Sequence, residues 1–242
     1  MPTLEAGISS SADDAEERAS GSMKLTSSDL ELVDDGTKRP DQTVGLRFND
    51  LNIPQGAVIT RAYLQFQVDE TDTGAVTLQI HGEDADNALA FTRSKFNVSS
   101  RQTTDATVTW SPPAWTTVGE AGPDQQTTDI SDISSIIQEI VNRPGWTANN
   151  SIALLITGSG ERTAESFNGV APPPPLLPIE HLPPGAVNDP VTFNAPADSN
   201  TNPDQIFDQI LENSAAGTTA GALLPRLRIT TATIAVGILN VR

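Results

Sequence analysis

Residues 127–157 read TTDISDISSIIQEIVNRPGWTANNSIALLIT, a pattern for one amphipathic helix followed by one buried strand. Ile133, Ile136, Ile137 and Ile140 recur at i, i+3, i+4 and i+7, the spacing that lines up one helical face. Ser131 or Asp132 supplies the cap, since a short side-chain oxygen accepts a backbone N–H that the first turn leaves unpaired. Pro144 and Gly145 end the helix, and Asn149-Asn150 turns the chain into the apolar run Ile152 to Ile156. Outward from this stretch, in both directions, the chain is written in strand alternation. A lone apolar helical face in such a chain must bury itself against a sheet.

Toward the N-terminus the alternation is regular. Leu30 and Leu32, then Val44, Leu46 and Phe48, then Ala62, Leu64, Phe66 and Val68, then Val76, Leu78 and Ile80 mark four strands. Asp34-Asp35-Gly36 and Pro54-Gln55-Gly56 supply turns between them. Residues 84–101 lapse into a long polar loop, and Val108 and Trp110 restart a strand that Pro112-Pro113 ends. Beyond the helix, Thr163 to Phe167 adds a further strand. Half-buried alternation with turns at short intervals predicts a mostly β protein built as an antiparallel β-sandwich with one embedded α-helix.

The two ends differ in composition. Residues 1–22 form a small, polar, acidic N-terminal segment. Ten of the eighteen prolines lie between Pro172 and Pro203, so the chain beyond the sandwich begins as a Pro-rich C-terminal extension. The run Pro172–Pro175 favours an extended connector or strap. Residues 180–222 read as an insertion or linker with a short helix near Ile206 to Leu211. Residues 223–242 read as one or two further strands, with Leu227 and Ile229 alternating, and Ile234, Val236 and Ile238 likewise.

Several stretches jointly resemble a jelly-roll module of secreted, multidomain bacterial proteins: SSSADDAEE (9–17), LTSSDLELV (25–33), VGLRF (44–48), IPQGAVITRAYLQF (53–66), HGEDADNALAF (81–91), WSPPAWTTVGEAGPDQ (110–125), IIQEIVNRPGW (136–146) and LLITGSGERTAESFNG (154–169). The layout is similar to the DNRLRE group of jelly rolls, itself similar to carbohydrate-binding modules. The resemblance covers residues 9–179 and implies a jelly-roll domain over 23–179 that is non-catalytic and extracellular or at the cell surface. Two segments compete to supply its closing strand, Pro175 to Ile179 and Leu223 to Ile229.

The formal net charge of −17 argues against nucleic acid and anionic membrane surfaces as partners. No apolar run approaches the ~20 residues of a membrane span. The first residues lack the basic and apolar regions of a signal peptide, so an export signal is either already removed or of another kind. There is no cysteine, which leaves no disulfide and no thiolate chemistry.

The candidate binding residues carry two readings each. Asp13, Asp14, Glu16 and Glu17, and separately Asp84 and Asp86, offer the hard oxygens that calcium takes; the alternative is solvated turns. Trp115 and Trp146 offer flat rings on which a glycan stacks; the alternative is clasping of loops around the core. His81 and His181, the only histidines, lie far apart and lack a thiolate partner for zinc. No G-x-S-x-G elbow presents a serine to either, and nothing picks out an acid–base carboxylate pair. Gly158-Ser159-Gly160 lacks the remainder of a nucleotide fingerprint and reads as a turn.

Ile229, Ile234, Val236 and Ile238 make a run too apolar for a free tail. It is either a last strand of its own sheet or a strand donated to a neighbouring copy. The expected function is a non-catalytic extracellular structural subunit, a homo-oligomer or polymer assembling into a filament or surface layer through its terminal segments. The alternative is a calcium-stabilised carbohydrate-binding or adhesion module.

Overall fold

The structure, a computed structural model, describes residues 3–36, 40–127, 131–169 and 175–185. Its strands are β1 (Thr3–Gly7), β2 (Asp14–Glu17), β3 (Met23–Lys24), β4 (Asp29–Glu31), β5 (Thr43–Leu51), β6 (Val58–Ala62), β7 (Thr77–Glu83), β8 (Thr103–Trp110), β9 (Asn150–Ser159), β10 (Thr163–Glu165) and β11 (Leu176–Leu182). One α-helix, α1 (Ser134–Val141), interrupts them. The strands form a six-stranded sheet in the order β3-β2-β5-β9-β7-β8, a three-stranded sheet β1-β11-β6, and a pair β10-β4. Among the described residues every strand pairing is antiparallel. The described residues form a mostly β antiparallel sandwich with one α-helix.

The period-two residues fill the space between the sheets. Val44, Leu46 and Phe48 from β5, Leu78 and Ile80 from β7, and Ile152, Leu154 and Ile156 from β9 are buried in one cluster with Ile59, Leu64, Phe66, Leu177 and Ile179. Each such side chain contributes about 1.5–3 kcal/mol on leaving water. The alternation from Ala62 to Val68 holds throughout, although regular pairing stops at Ala62. Beyond it the backbone changes partners, with Gln65 bridging to Leu176 and to Gln126, and Val68 to Ala164.

The helix forms one residue later than its isoleucine spacing begins. Asp132 Oδ1 accepts the Ser134 N–H at 2.7 Å, so Asp132 is the residue that satisfies the first turn. Ser131 turns its hydroxyl instead onto the Thr109 carbonyl at 3.1 Å. Ile136, Ile137 and Ile140 are buried, and α1 touches β6, β7 and β8. Gly82 of β7 allows the approach: a Cβ there would lie 2.7 Å from Ile140 Cδ1 and 2.8 Å from Ile136 Cγ2.

Three expectations change. The acidic segment 1–22 is not an appendage, because β1 and β2 are strands of the two sheets, so the sandwich starts at Thr3 rather than at residue 23. Of the two candidate closing segments, the one starting at Pro175 enters the three-stranded sheet. As β11 it lies between β1 and β6, and it runs past 179 to Leu182. The polar loop 84–101 carries apolar anchors. Ala88, Phe91 and Val98 form a second buried cluster with Ala15, Leu25, Ala153 and Leu155 on the outer face of the six-stranded sheet. Gly45 admits the Phe91 ring, which would lie 2.5 Å from any Cβ at that position.

Residues 186–222, with their expected short helix, and residues 223–242, with Ile229, Ile234, Val236 and Ile238, lie outside the described residues. Among the described residues no helix is long and apolar enough to cross a membrane.

Candidate functional site

The acidic residues picked out for calcium are separated by the pleat of β2, since neighbouring side chains on a strand point to opposite faces. Asp13 precedes the strand and bonds Arg47 Nη1 at 2.5 Å, Ser10 Oγ at 2.6 Å and Asn49 Nδ2 at 2.9 Å. Burial opposes its ionisation, but Ser10, Arg47, Asn49 and Ser9 together hold its carboxyl below the usual range. Glu17 accepts the Val98 N–H at 2.7 Å and the Ser99 N–H at 3.0 Å, fastening the 84–101 loop. Asp84 and Asp86 both bond Arg143, Asp86 Oδ1 at 2.7 Å from Nε. In these places a guanidinium or backbone N–H groups bond the carboxylates that were expected to hold calcium. Arg47 also reaches the Ala88 carbonyl at 2.8 Å and Ser151 Oγ at 3.1 Å, so it ties the loop to the sheet.

Asp14 and Glu16 face the other way, toward the β4–β10 pair. Asp14 accepts the Phe167 N–H at 2.8 Å, and burial pushes its carboxyl up to about 6. Glu16 accepts the Glu31 N–H at 3.1 Å, with Lys24 Nζ 3.9 Å away; burial raises it too. Glu31 itself is pushed up to about 8 by burial, with Asp29, Asp35 and Glu16 adding to the rise and the Thr163 hydroxyl opposing it. Asp29, Asp69 and Glu70 stand at this end, each with a carboxylate oxygen within 4.8 Å of the others. Their sequence gives little sign of this meeting: Asp29 lies in one turn-flanked strand, while Asp69 and Glu70 close the Ala62–Val68 run about forty residues later.

The tryptophans are core residues. Trp115 and Trp146 expose 0% and 1% of their surface, so neither presents a ring face on which a glycan stacks. Trp115 lies 6.3 Å from Phe66 and 6.5 Å from Trp110, and its Nε1 donates to the Asp124 carbonyl at 3.2 Å. Trp146 Nε1 donates to the Ile53 carbonyl at 3.0 Å. The clasping role of these rings is the one the geometry supports. His81 and His181 lie in different sheets, on β7 and β11.

The sheet edges are treated unequally. The outer edge of β6 and its continuation is covered from Ala57 to Phe66. Gln138 takes the Ile59 N–H and donates to the Ala57 carbonyl, both at 2.8 Å. Asp132 and Ile133 bond Ala62, Thr127 bonds Leu64, and Gln125 accepts the Phe66 N–H. The outer edge of β8 is met by Glu139, which accepts the Asp105 and Ala106 N–H groups at 2.8 Å each. β3, the far edge of the same sheet, is only two residues long. β1 is different. Ile8 N donates to Pro175 O, so by strand alternation the even residues Leu4 and Ala6 face β11, while Thr3, Glu5 and Gly7 turn their backbone groups outward. Among the described residues nothing bonds those outward groups.

Compared with known proteins, the chain matches no family model and no curated sequence.

Proposed function

We propose that this chain is a non-catalytic extracellular structural module that associates with further copies of itself by strand addition through residues 223–242, building a filament or surface layer. The observation that carries this reading is the contrast of edges. A long unpaired strand edge is a template for another chain. Side chains and loop backbone cover β6 and meet β8, while β1 keeps a row of backbone groups that nothing bonds among the described residues. The resemblance of residues 9–179 to secreted jelly-roll modules supports the extracellular, non-catalytic part. The test is deletion of residues 223–242 in the full chain, followed by light scattering. Loss of large particles supports the reading, and unchanged assembly refutes it.

A second reading, a calcium-stabilised module, has its own observation in Asp29, Asp69 and Glu70, whose oxygens converge at one end of the sandwich. Calcium suits such a set because it accepts irregular arrangements of hard oxygens. The carboxyls here also set a pH dependence. The raised pKa of Glu31 contributes stability that is fully present below its ordinary 4.5 and is lost as pH rises through about 8. A cation beside Asp29 offsets that loss. The melting temperature is therefore expected to rise in excess calcium over chelator, and to rise more near pH 8 than near 4.5. Identical melting in calcium and chelator at both ends of that window contradicts this reading. The glycan part of the alternative draws no support from Trp115 or Trp146.

A further inference from the structure

Resting on the assembly reading above, we infer that the acceptor is the outer edge of β1 and the donor is the stretch Arg226–Thr230 of a second copy, so that copies join head to tail. Pairing of β1 with its own counterpart is disfavoured. The one antiparallel register that engages all three outward residues, Thr3, Glu5 and Gly7, sets Glu5 directly opposite Glu5, and like charges facing across a strand pair repel. Glu180 lies on the same solvent face, paired in register with Thr3, and makes the surroundings of the edge more acidic. Its own ion pair is to Arg61 on the far side, at 3.8 Å.

The donor has the opposite character. Residues 223–242 contain three arginines and no acidic residue, in a chain of net charge −17. Three features of LLPRLRIT (223–230) agree on one orientation. In an antiparallel pair, residues whose backbone faces the partner carry their side chains on the same sheet face as the residues they bond. Placing Arg226, Arg228 and Thr230 toward β1 puts both guanidinium groups on the solvent face beside Glu5. The same placement turns Leu227 and Ile229 to the inner face, where Leu4 and Ala6 already pack against the core. It also leaves Pro225 facing away from β1, on the new outer edge, where a missing N–H costs no ladder bond. The opposite parity fails on all three counts. It asks Pro225 for a bond it cannot make, sends the arginines inward and exposes the leucine and isoleucine. Because donor and acceptor are different surfaces, the contact is heterologous, and repeated in one direction it extends head to tail.

The experiment uses full-length chains and sedimentation with light scattering. Glu5→Pro removes an outward N–H and leaves the bonds to β11 in place, so it is expected to melt as the parent does and to remain monomeric. Deletion of 223–242 is also expected to remain monomeric. A mixture of the two is expected to give a 1:1 dimer that grows no further, since the first supplies only a donor and the second only an acceptor. Glu5→Arg, which keeps every backbone group, is expected to weaken assembly roughly tenfold, and Arg226→Glu with Arg228→Glu is expected to restore it. Assembly of Glu5→Pro at the parent's level, or of Glu5→Arg without loss, overturns the β1 acceptor while leaving self-assembly intact. A parent chain that is monomeric at every concentration overturns the assembly reading and this inference with it.

Discussion

The two long sides of this sandwich receive opposite treatment. On one, α1 and the chain leading into it lie across β6 and β8, and two neighbouring helical side chains divide the work. Gln138 bonds the backbone of β6, and Glu139 bonds the backbone of β8. On the other side, β1 ends the three-stranded sheet, and among the described residues nothing bonds the outward groups of Thr3, Glu5 and Gly7. Both are edges of antiparallel sheets with the same need for hydrogen bonds. The difference shows that the fold has a means of covering an edge and applies it to one side.

The comparison is broken most forcefully through the helix. Ile136→Ala removes a fully buried side chain that packs against Gly82, and is expected to cost about 2–5 kcal/mol in chemical denaturation, loosening the whole closed side. Gln138→Leu keeps the volume but strands the Ile59 N–H and the Ala57 carbonyl. An expected loss of about 1–3 kcal/mol, with faster hydrogen exchange at Ile59, separates edge-bonding from mere packing. Glu139→Ala frees the Asp105 and Ala106 N–H groups, which lie nearer the surface. Its expected cost is about 0.5–1.5 kcal/mol, and its clearer effect is new aggregation through β8. Glu5→Ala, on the bare side, is expected to leave the melting temperature of the monomer unchanged, because Glu5 makes no bond within the described residues. A stability loss there as large as at Gln138 would show that both sides are closed within one molecule.

What was legible in the sequence was periodic. The Ile133–Ile140 spacing located the helix to within a residue, and the alternation in β5 and β7 together with the apolar run in β9 marked three strands of the larger sheet. What was not legible depends on partners distant in the chain. Arg47 meets Asp13 from 34 positions away and Arg143 meets Asp84 from 59, so these two aspartates looked free for a cation when guanidinium groups already held them. Trp115 and Trp146 sit beside prolines in loops, and only the tertiary packing decides that such rings face inward. Gln138 and Glu139 lie off the isoleucine face of the helix. Their task of bonding two strand edges has no local signature, because it exists only once the sheets have placed those edges beside the helix.

On the proposed reading, the bare side is an assembly surface. The size of the native particle, followed by light scattering and negative-stain imaging across a concentration series, tests it most directly. Unbranched particles that lengthen with concentration are expected. A monomer of 25.6 kDa at every concentration would contradict it.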